Sequence, residues 1–141
     1  MPLESIHPLP DVEVKFIEAD VLLKQLEEAQ LQDCVDPQGI ALLTILDFRN
    51  ENFLHPENPP PRILTSCATR MLQMDDIREA AVRSSLPQKG LIVTVTETGN
   101  RDAYIMRYLS QFGFSNIEGL HFGMRSWIKR DYPMIVGQST K

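Results

Sequence analysis

An α/β domain with a mostly parallel central sheet flanked by helices is the fold class that the sequence predicts. Two runs, residues 40–47 and 91–95, are almost entirely apolar, as is typical of strands buried on both faces of a parallel sheet. Segments with helical periodicity alternate with the apolar runs, and the connections are long enough for crossovers between parallel strands. The 141 residues are enough for one domain of this kind.

The first third of the chain predicts an edge strand, a helix and a buried strand. Residues 12–16 alternate between apolar and polar side chains, which indicates a short edge strand. Residues 33–39 contain proline and glycine and predict a loop before the strand at 40–47. Between edge strand and loop, a helix begins near Glu18 with acids in its first turn. Its apolar stripe has a spacing near 3.6 residues: Val21, Leu22, Leu26 and Ala29.

The rest of the chain continues the alternation after a proline-rich stretch. Residues 48–61 contain four prolines and cannot form regular structure. Next we expect a short strand at 62–65 and a helix at 71–86, and then the strand at 91–95. The last elements are a helix with Ile105, Leu109 and Phe112 inward and Gly113 as its cap, a strand at 114–120 and a helix at 123–130 carrying Trp127.

Composition and charge exclude several classes of function. The net charge of -5, without any basic run in the sequence, argues against nucleic acid or an anionic membrane as the main partner. No apolar stretch approaches 20 residues, and the N-terminus lacks the pattern of a secretory signal. Two cysteines make neither a disulfide framework nor a zinc site, and three scattered histidines lack metal-ligand spacing, so we expect no metal or cofactor. A reducing cytoplasm is the expected location. We expect residues 12–136 to form the domain, with an extended arm at 1–11 and a tail at 137–141.

Three segments are expected at the edge of the sheet where ligands bind. In an open parallel sheet that edge lies beyond the carboxyl ends of the strands. The segments are residues 47–49, residues 65–67 and residues 96–101. The last runs from a strand through one glycine directly into a helix, so its backbone N–H groups and the helix dipole form a cradle for a small anion. It consists of Thr96, Glu97, Thr98, Gly99, Asn100 and Arg101.

Several separate motifs resemble one known family. Residues 45–51 (ILDFRNE) are similar to its DxR segment after a buried strand, and residues 92–101 (IVTVTETGNR) to its active-site loop. Residues 113–120 (GFSNIEGL), followed by Gly123, Trp127 and Tyr132-Pro133, are similar to its C-terminal motif. From about residue 14 to 134 the chain thus resembles a rhodanese homology domain. The resemblance implies a rhodanese-like α/β fold and a relation to sulfurtransferases.

The departures from the family pattern concern its active site. The family loop begins with a cysteine that carries sulfur as a persulfide, and Thr96 stands at that position. Glu97 replaces a frequent arginine, Asp102 a frequent serine, and Phe122 the first glycine of a pair. We expect Glu97 and Asp102 to place two negative charges beside the cradle. The family's GHIPGA stretch is unrecognisable in residues 54–62.

Each candidate residue has a structural and a functional interpretation. Arg101 either holds an anion or, as we favour, pairs with Asp47 or Glu51, which would tie two edge loops together. Arg49 has the same two interpretations. Thr96 most simply caps the following helix or bonds a loop amide. Cys67 is the candidate for a relocated nucleophilic thiol, against an interpretation as a small buried apolar side chain.

The sequence favours a catalytically inactive rhodanese-like domain with a binding or regulatory role. A protein partner or a small anionic ligand would bind the surface around residues 96–101, with Asp47, Arg49, Thr96, Gly99, Asn100 and Arg101 as the candidate binding residues. Two alternatives stay open at this point. One is a sulfurtransferase that uses Cys67, and the other is a structural subunit of a sulfur-handling or signalling complex.

Overall fold

The computed structural model describes residues 13–49 and 60–136. The expected arm at 1–11 and the expected tail at 137–141 lie outside the described residues, as does most of the proline-rich stretch. The edge strand expected at 12–16 is β1, at Phe16–Ile17. The other strands are β2 (Leu43–Asp47), β3 (Arg62–Ile63), β4 (Ala68–Met71), β5 (Leu91–Val95), β6 (Ile117–Leu120) and β7 (Met134–Ile135).

The helices occupy the intervals between the strands. A short 3-10 helix lies at Met74–Arg78. The α-helices are α1 (Ala19–Gln30), α2 (Ala80–Ser84), α3 (Asp102–Ser110) and α4 (Gly123–Lys129).

Five strands form one parallel sheet in the order β1-β6-β5-β2-β4. The two predicted apolar runs supply β2 and β5, which pair with each other at the centre and are buried almost throughout. β3 and β7 form a separate antiparallel pair. The α/β class with a mostly parallel sheet flanked by helices is therefore confirmed.

A core lies on each face of the sheet because successive side chains of β2 and β5 point to opposite faces. On one face, Ile45 and Val93 belong to a cluster that α1 and α4 complete, including Trp127. On the other face, Leu46 and Ile92 belong to a cluster with α3 and the 3-10 helix. The Trp127 ring is fully buried and its Nε1 donates to the carbonyl of Pro133 at 2.8 Å, which fixes α4.

Three details of the sequence interpretation are wrong. The expected helix at 71–86 is split, because Met71 ends strand β4 and only Met74–Arg78 and Ala80–Ser84 are helical. The apolar spacing there reflects single buried residues, such as Ile77. Val21 and Phe112 are also partly exposed instead of facing the core, and Phe112 lies beyond the end of α3 under the guanidinium of Arg83.

Candidate functional site

The loop at residues 96–101 forms one wall of a surface pocket of about 220 Å³. It connects β5 to α3 at the carboxyl end of the central strands. The opposite wall comes from the end of β2, so two of the three segments expected at this edge are brought together. The lining residues are Phe48, Arg49, Thr96, Glu97, Thr98, Asn100 and Arg101.

The conformation of the loop is fixed from inside and from outside. Inside, the Thr96 hydroxyl oxygen accepts a hydrogen bond from the Gly99 N–H at 2.8 Å, so one of the inward donors is satisfied by the chain itself. Outside, the carbonyls of Thr96 and Glu97 accept the N–H groups of Met124 and Arg125 in the first turn of α4. Gly123 permits this contact, because a Cβ atom there would lie 2.4 Å from the Thr96 carbonyl oxygen.

Arg49 is the buried cation of the pocket and is held by two carboxylates. Its Nε and one terminal nitrogen donate to the two Asp47 oxygens at 2.8 and 2.7 Å, and the other terminal nitrogen donates to Glu97 at 3.1 Å. A further bond reaches the Pro61 carbonyl at 3.0 Å. Burial alone would lower the pKa of Arg49, but the bonds and charges of Asp47 and Glu97 outweigh it and raise the pKa. The guanidinium therefore stays charged, with that charge largely compensated by protein carboxylates.

The expected ion pair between Arg101 and Asp47 is wrong, and the alternative partner Glu51 lies outside the described residues. Asp47 is bound by Arg49, two residues further along the same strand end. Arg101 is exposed at the start of α3 and lines the pocket. Both arginines lie at the expected edge, but Arg49 forms the carboxylate pair that we favoured, and a role of Arg101 in binding stays a prediction.

Asp102 does not face the cradle, contrary to expectation. Its side chain is fully buried against β5 and β6, where Oδ1 accepts a hydrogen bond from the Thr94 hydroxyl at 2.9 Å. Oδ2 has no hydrogen-bond partner among the described residues. Only glycine fits opposite, since a Cβ at Gly119 would lie 2.6 Å from Asp102 Cγ. Burial raises the pKa of Asp102 to about 7, against the opposing effect of the Thr94 bond.

No protein-family model matches the chain, and no curated protein matches it. Similar solved structures include a rhodanese-related protein from Thermoplasma volcanium, at 23% identity and a TM-score of 0.59, over 86% of this chain and 97% of that one. A rhodanese-like domain from Anabaena sp. has 19% identity and a TM-score of 0.62, over 92% and 84%. The chain has the rhodanese fold. A polysulfide-sulfur transferase from Wolinella succinogenes has 16% identity and a TM-score of 0.58, over 86% and 78%.

In this rhodanese fold Cys67 is neither a free thiol nor near the loop. It forms a disulfide with Cys34, and both residues are buried. Cys67 directly precedes β4, whose first residue pairs with Thr44, whereas Thr96 follows the end of β5 beside Asp47. The two positions lie at opposite ends of the strands, roughly 15 Å apart along the strand direction.

The expectation that residues 65–67 reach the pocket edge is therefore wrong. It assumed that the strand at 62–65 belongs to the main sheet, whereas β3 pairs with β7 instead. The disulfide also removes the cysteine-based reason for expecting a reducing compartment, because disulfides persist mainly in oxidising ones.

The loop has a neighbour, Phe122, that the sequence did not single out as a site residue. Phe122 adopts φ 60° immediately before α4, and a Cβ at Gly99 would lie 3.1 Å from the Phe122 nitrogen. Its ring is largely exposed and stacks on His121 at a centroid distance of 4.0 Å. The sequence does mark this position, because Phe122 is a bulky residue where the family usually has glycine.

Within residues 13–49 and 60–136, no three metal-binding side chains come together. None of the described helices is long and apolar enough to cross a membrane.

Proposed function

We propose that this rhodanese-fold domain is a binding or regulatory module, not a sulfurtransferase, and that it binds through the surface around residues 96–101. The observation that carries the proposal is the position and bonding of the Thr96 side chain. Its side chain stands at the first position of the loop and is already bonded to the Gly99 N–H. Both cysteines of the sequence are joined in a disulfide at the other edge of the sheet.

Sulfur transfer of the rhodanese type requires a nucleophile that this loop lacks. A thiolate attacks a sulfur donor near neutral pH because backbone amides and a helix N-terminus lower the thiol pKa. A threonine hydroxyl is not ionised at that pH, and it cannot store sulfur as a persulfide. The described residues place no histidine or lysine in the pocket lining to act as its base.

The charges of the pocket favour a partner surface over a tightly bound small anion. The positive charge inside, on Arg49, is compensated by Asp47 and Glu97. The exposed lining is mixed: Glu97 and Arg101 carry opposite charges, and Asn100 is neutral. Such a rim suits hydrogen bonds to a protein partner, whose contacts would extend beyond a pocket of about 220 Å³.

Intact-mass spectrometry after thiosulfate treatment tests the absence of sulfur transfer. We expect no mass gain in the wild type, because no thiolate is present at the loop. Thr96→Cys should gain one sulfur, about 32 Da, that cyanide removes, because the loop amides would lower the pKa of the new thiol. Thr69→Cys, on the exposed edge strand β4, is the matched control and should gain none. A cyanide-reversible gain in the wild type would refute the proposal.

Sulfate titration by NMR tests the charge of the cradle. We expect the wild type to bind sulfate in the millimolar range or more weakly, because the Glu97 carboxylate repels an anion from the loop. Glu97→Gln should tighten binding about threefold, a residual effect of under 1 kcal/mol after screening. Glu28→Gln removes the same charge from the exposed face of α1 and should leave binding unchanged. Micromolar binding by the wild type, or equal binding by Glu97→Gln, would contradict the expected loop charges.

A further inference from the structure

Helix α4 and the residue before it form a surface groove beside the loop. The groove has a volume of about 580 Å³ and its floor is the buried Ser126. Phe122, Arg125 and Lys129 are spaced by three and four residues, so they follow one face of the helix. Arg130 completes the lining. The groove thus combines one exposed aromatic ring with three cations.

Within residues 13–49 and 60–136 the cations of the groove have no ion-pair partner, although the whole chain has a net charge of -5. Among the described residues, no carboxylate lies within ion-pair distance of Arg125, Lys129 or Arg130. Glu18 is bonded to His121, the residue before Phe122, at 2.6 Å. A concentration of positive charge on an otherwise acidic surface favours a negatively charged partner.

The side chain of Phe122 lies mostly outside the packed core of the fold. Its φ of 60° is a conformation that glycine adopts without strain and bulky residues rarely adopt. The ring is 61% exposed, and its contact is with His121, which in turn lies beside the exposed ring of Phe16. A strained and exposed aromatic residue beside a pocket indicates a role in binding.

The groove is structurally continuous with the loop at residues 96–101. The Arg125 N–H donates to the carbonyl of Glu97, and the Met124 N–H donates to that of Thr96. The Phe122 backbone lies against Gly99. A ligand that spans the groove would therefore also reach the rim of the pocket.

We infer that the groove binds an acidic, extended segment of a partner protein that carries a bulky apolar residue. The inference deepens the proposed function, on which it rests, by naming the chemistry of the partner. Carboxylates of the segment pair with Arg125, Lys129 and Arg130, and guanidinium groups bind carboxylates with two parallel bonds. The apolar residue packs on the ring of Phe122. A nucleic acid fits less well, because its dense phosphate charge would be repelled by the remaining acidic surface.

Fluorescence anisotropy tests the groove with a defined probe. The probe is a short fluorescein-labelled peptide of glutamates with two phenylalanines, and the reference peptide has glutamine in place of glutamate. We expect saturable binding of the acidic peptide at low salt, weakened at high salt, and no binding of the glutamine peptide. Arg125→Gln combined with Lys129→Gln should weaken binding about tenfold, and Phe122→Gly about fivefold, values typical for the loss of central contacts.

Two controls make the titration specific. Lys24→Gln combined with Lys89→Gln removes the same charge from exposed positions elsewhere and should change binding less than about twofold. Phe122→Gly places glycine at a positive φ, so the variant should remain folded and melt no lower than the wild type. A loss of peptide binding by this variant would then report the ring itself.

The outcomes separate this inference from the proposed function. Absence of peptide binding, or equal binding by the groove variants and the wild type, overturns the inference while the thiosulfate experiment still decides sulfur transfer. A sulfur gain in the wild type refutes the proposed function whatever the peptide does. Tighter binding of single-stranded oligothymidylate, or of phosphatidylserine vesicles, with loss in the same variants would assign the groove to a different class of partner and overturn the inference.

Discussion

Loss of the Cys34–Cys67 disulfide is expected to lower the free energy of unfolding by about 4 kcal/mol, a large fraction of the stability of a domain of this size. The bridge joins positions 33 residues apart, and it links the loop after α1 to the start of edge strand β4. In the chain-entropy account, closing a loop of this length restricts the unfolded chain far more than the folded one. The melting temperature should fall by roughly 10 °C or more.

Urea unfolding of three samples checks this expectation. They are the oxidised wild type, the wild type with a thiol reductant throughout the transition, and the double variant Cys34→Ala with Cys67→Ala. Because reduction and substitution remove the same bond, the last two should unfold at similar urea concentrations, well below the first. The reductant should not affect the double variant. Detection of two free thiols in the denatured, unreduced wild type would show that the bond is absent.

The strands at the centre of the fold could be predicted from sequence because a single physical constraint dominates them. A strand buried on both faces is mostly apolar, and β2 and β5 follow that pattern at every position except Thr44, Asp47 and Thr94. The edge strand β4 carries no such constraint, since Ala68 and Thr69 are exposed. Its sequence therefore resembles neither a buried strand nor a loop, and the apolar spacing of Met74, Ile77 and Ala81 indicated a helix from residue 71 onward.

The disulfide could not be predicted because it depends on that same edge strand. Cys67 meets Cys34 only when β4 pairs with β2 in the observed register, with Ala68 beside Thr44. Cys34 must also adopt a φ of 61° after the end of α1. Neither condition leaves a signal in the spacing of two cysteines, whose separation is compatible with many arrangements.

For the charged residues of the site, the sequence predicted the position but not which residue pairs with which. Sequence placed Asp47, Arg49 and Arg101 at one edge of the sheet, and the structure brings all three there. The choice of Arg49 as the partner of Asp47 depends on side-chain direction, because Arg49 turns back along its own strand end. The burial of Asp102 on α3 depends on Gly119 of β6, which leaves room for the carboxyl group.

Asp102 should make the stability of the domain depend on pH. Burial raises the pKa of its carboxyl to about 7 in the folded protein, far above its ordinary 3.8. The folded protein therefore holds this proton more tightly than the unfolded chain does. The stability that this group contributes is complete below about pH 4, and it is lost as the pH rises to about 7, where the folded carboxyl ionises. The difference between the two pKa values corresponds to about 4 kcal/mol of unfolding free energy, and about 3 kcal/mol of this is lost between pH 5 and pH 8.

Urea unfolding of Asp102→Asn across this pH range isolates the effect from other titrating groups. The amide has nearly the shape of the carboxyl group and can still accept the Thr94 hydroxyl, but it does not ionise. The wild type should lose stability from pH 5 to pH 8 relative to the variant, and the variant should be the more stable protein at the alkaline end. Glu28→Gln, which removes an exposed carboxylate from α1, should retain the wild-type slope. Parallel pH profiles of the wild type and Asp102→Asn would mean that the Asp102 carboxyl is reached by solvent or by a cation in solution, because only a buried and poorly partnered carboxyl gives that slope.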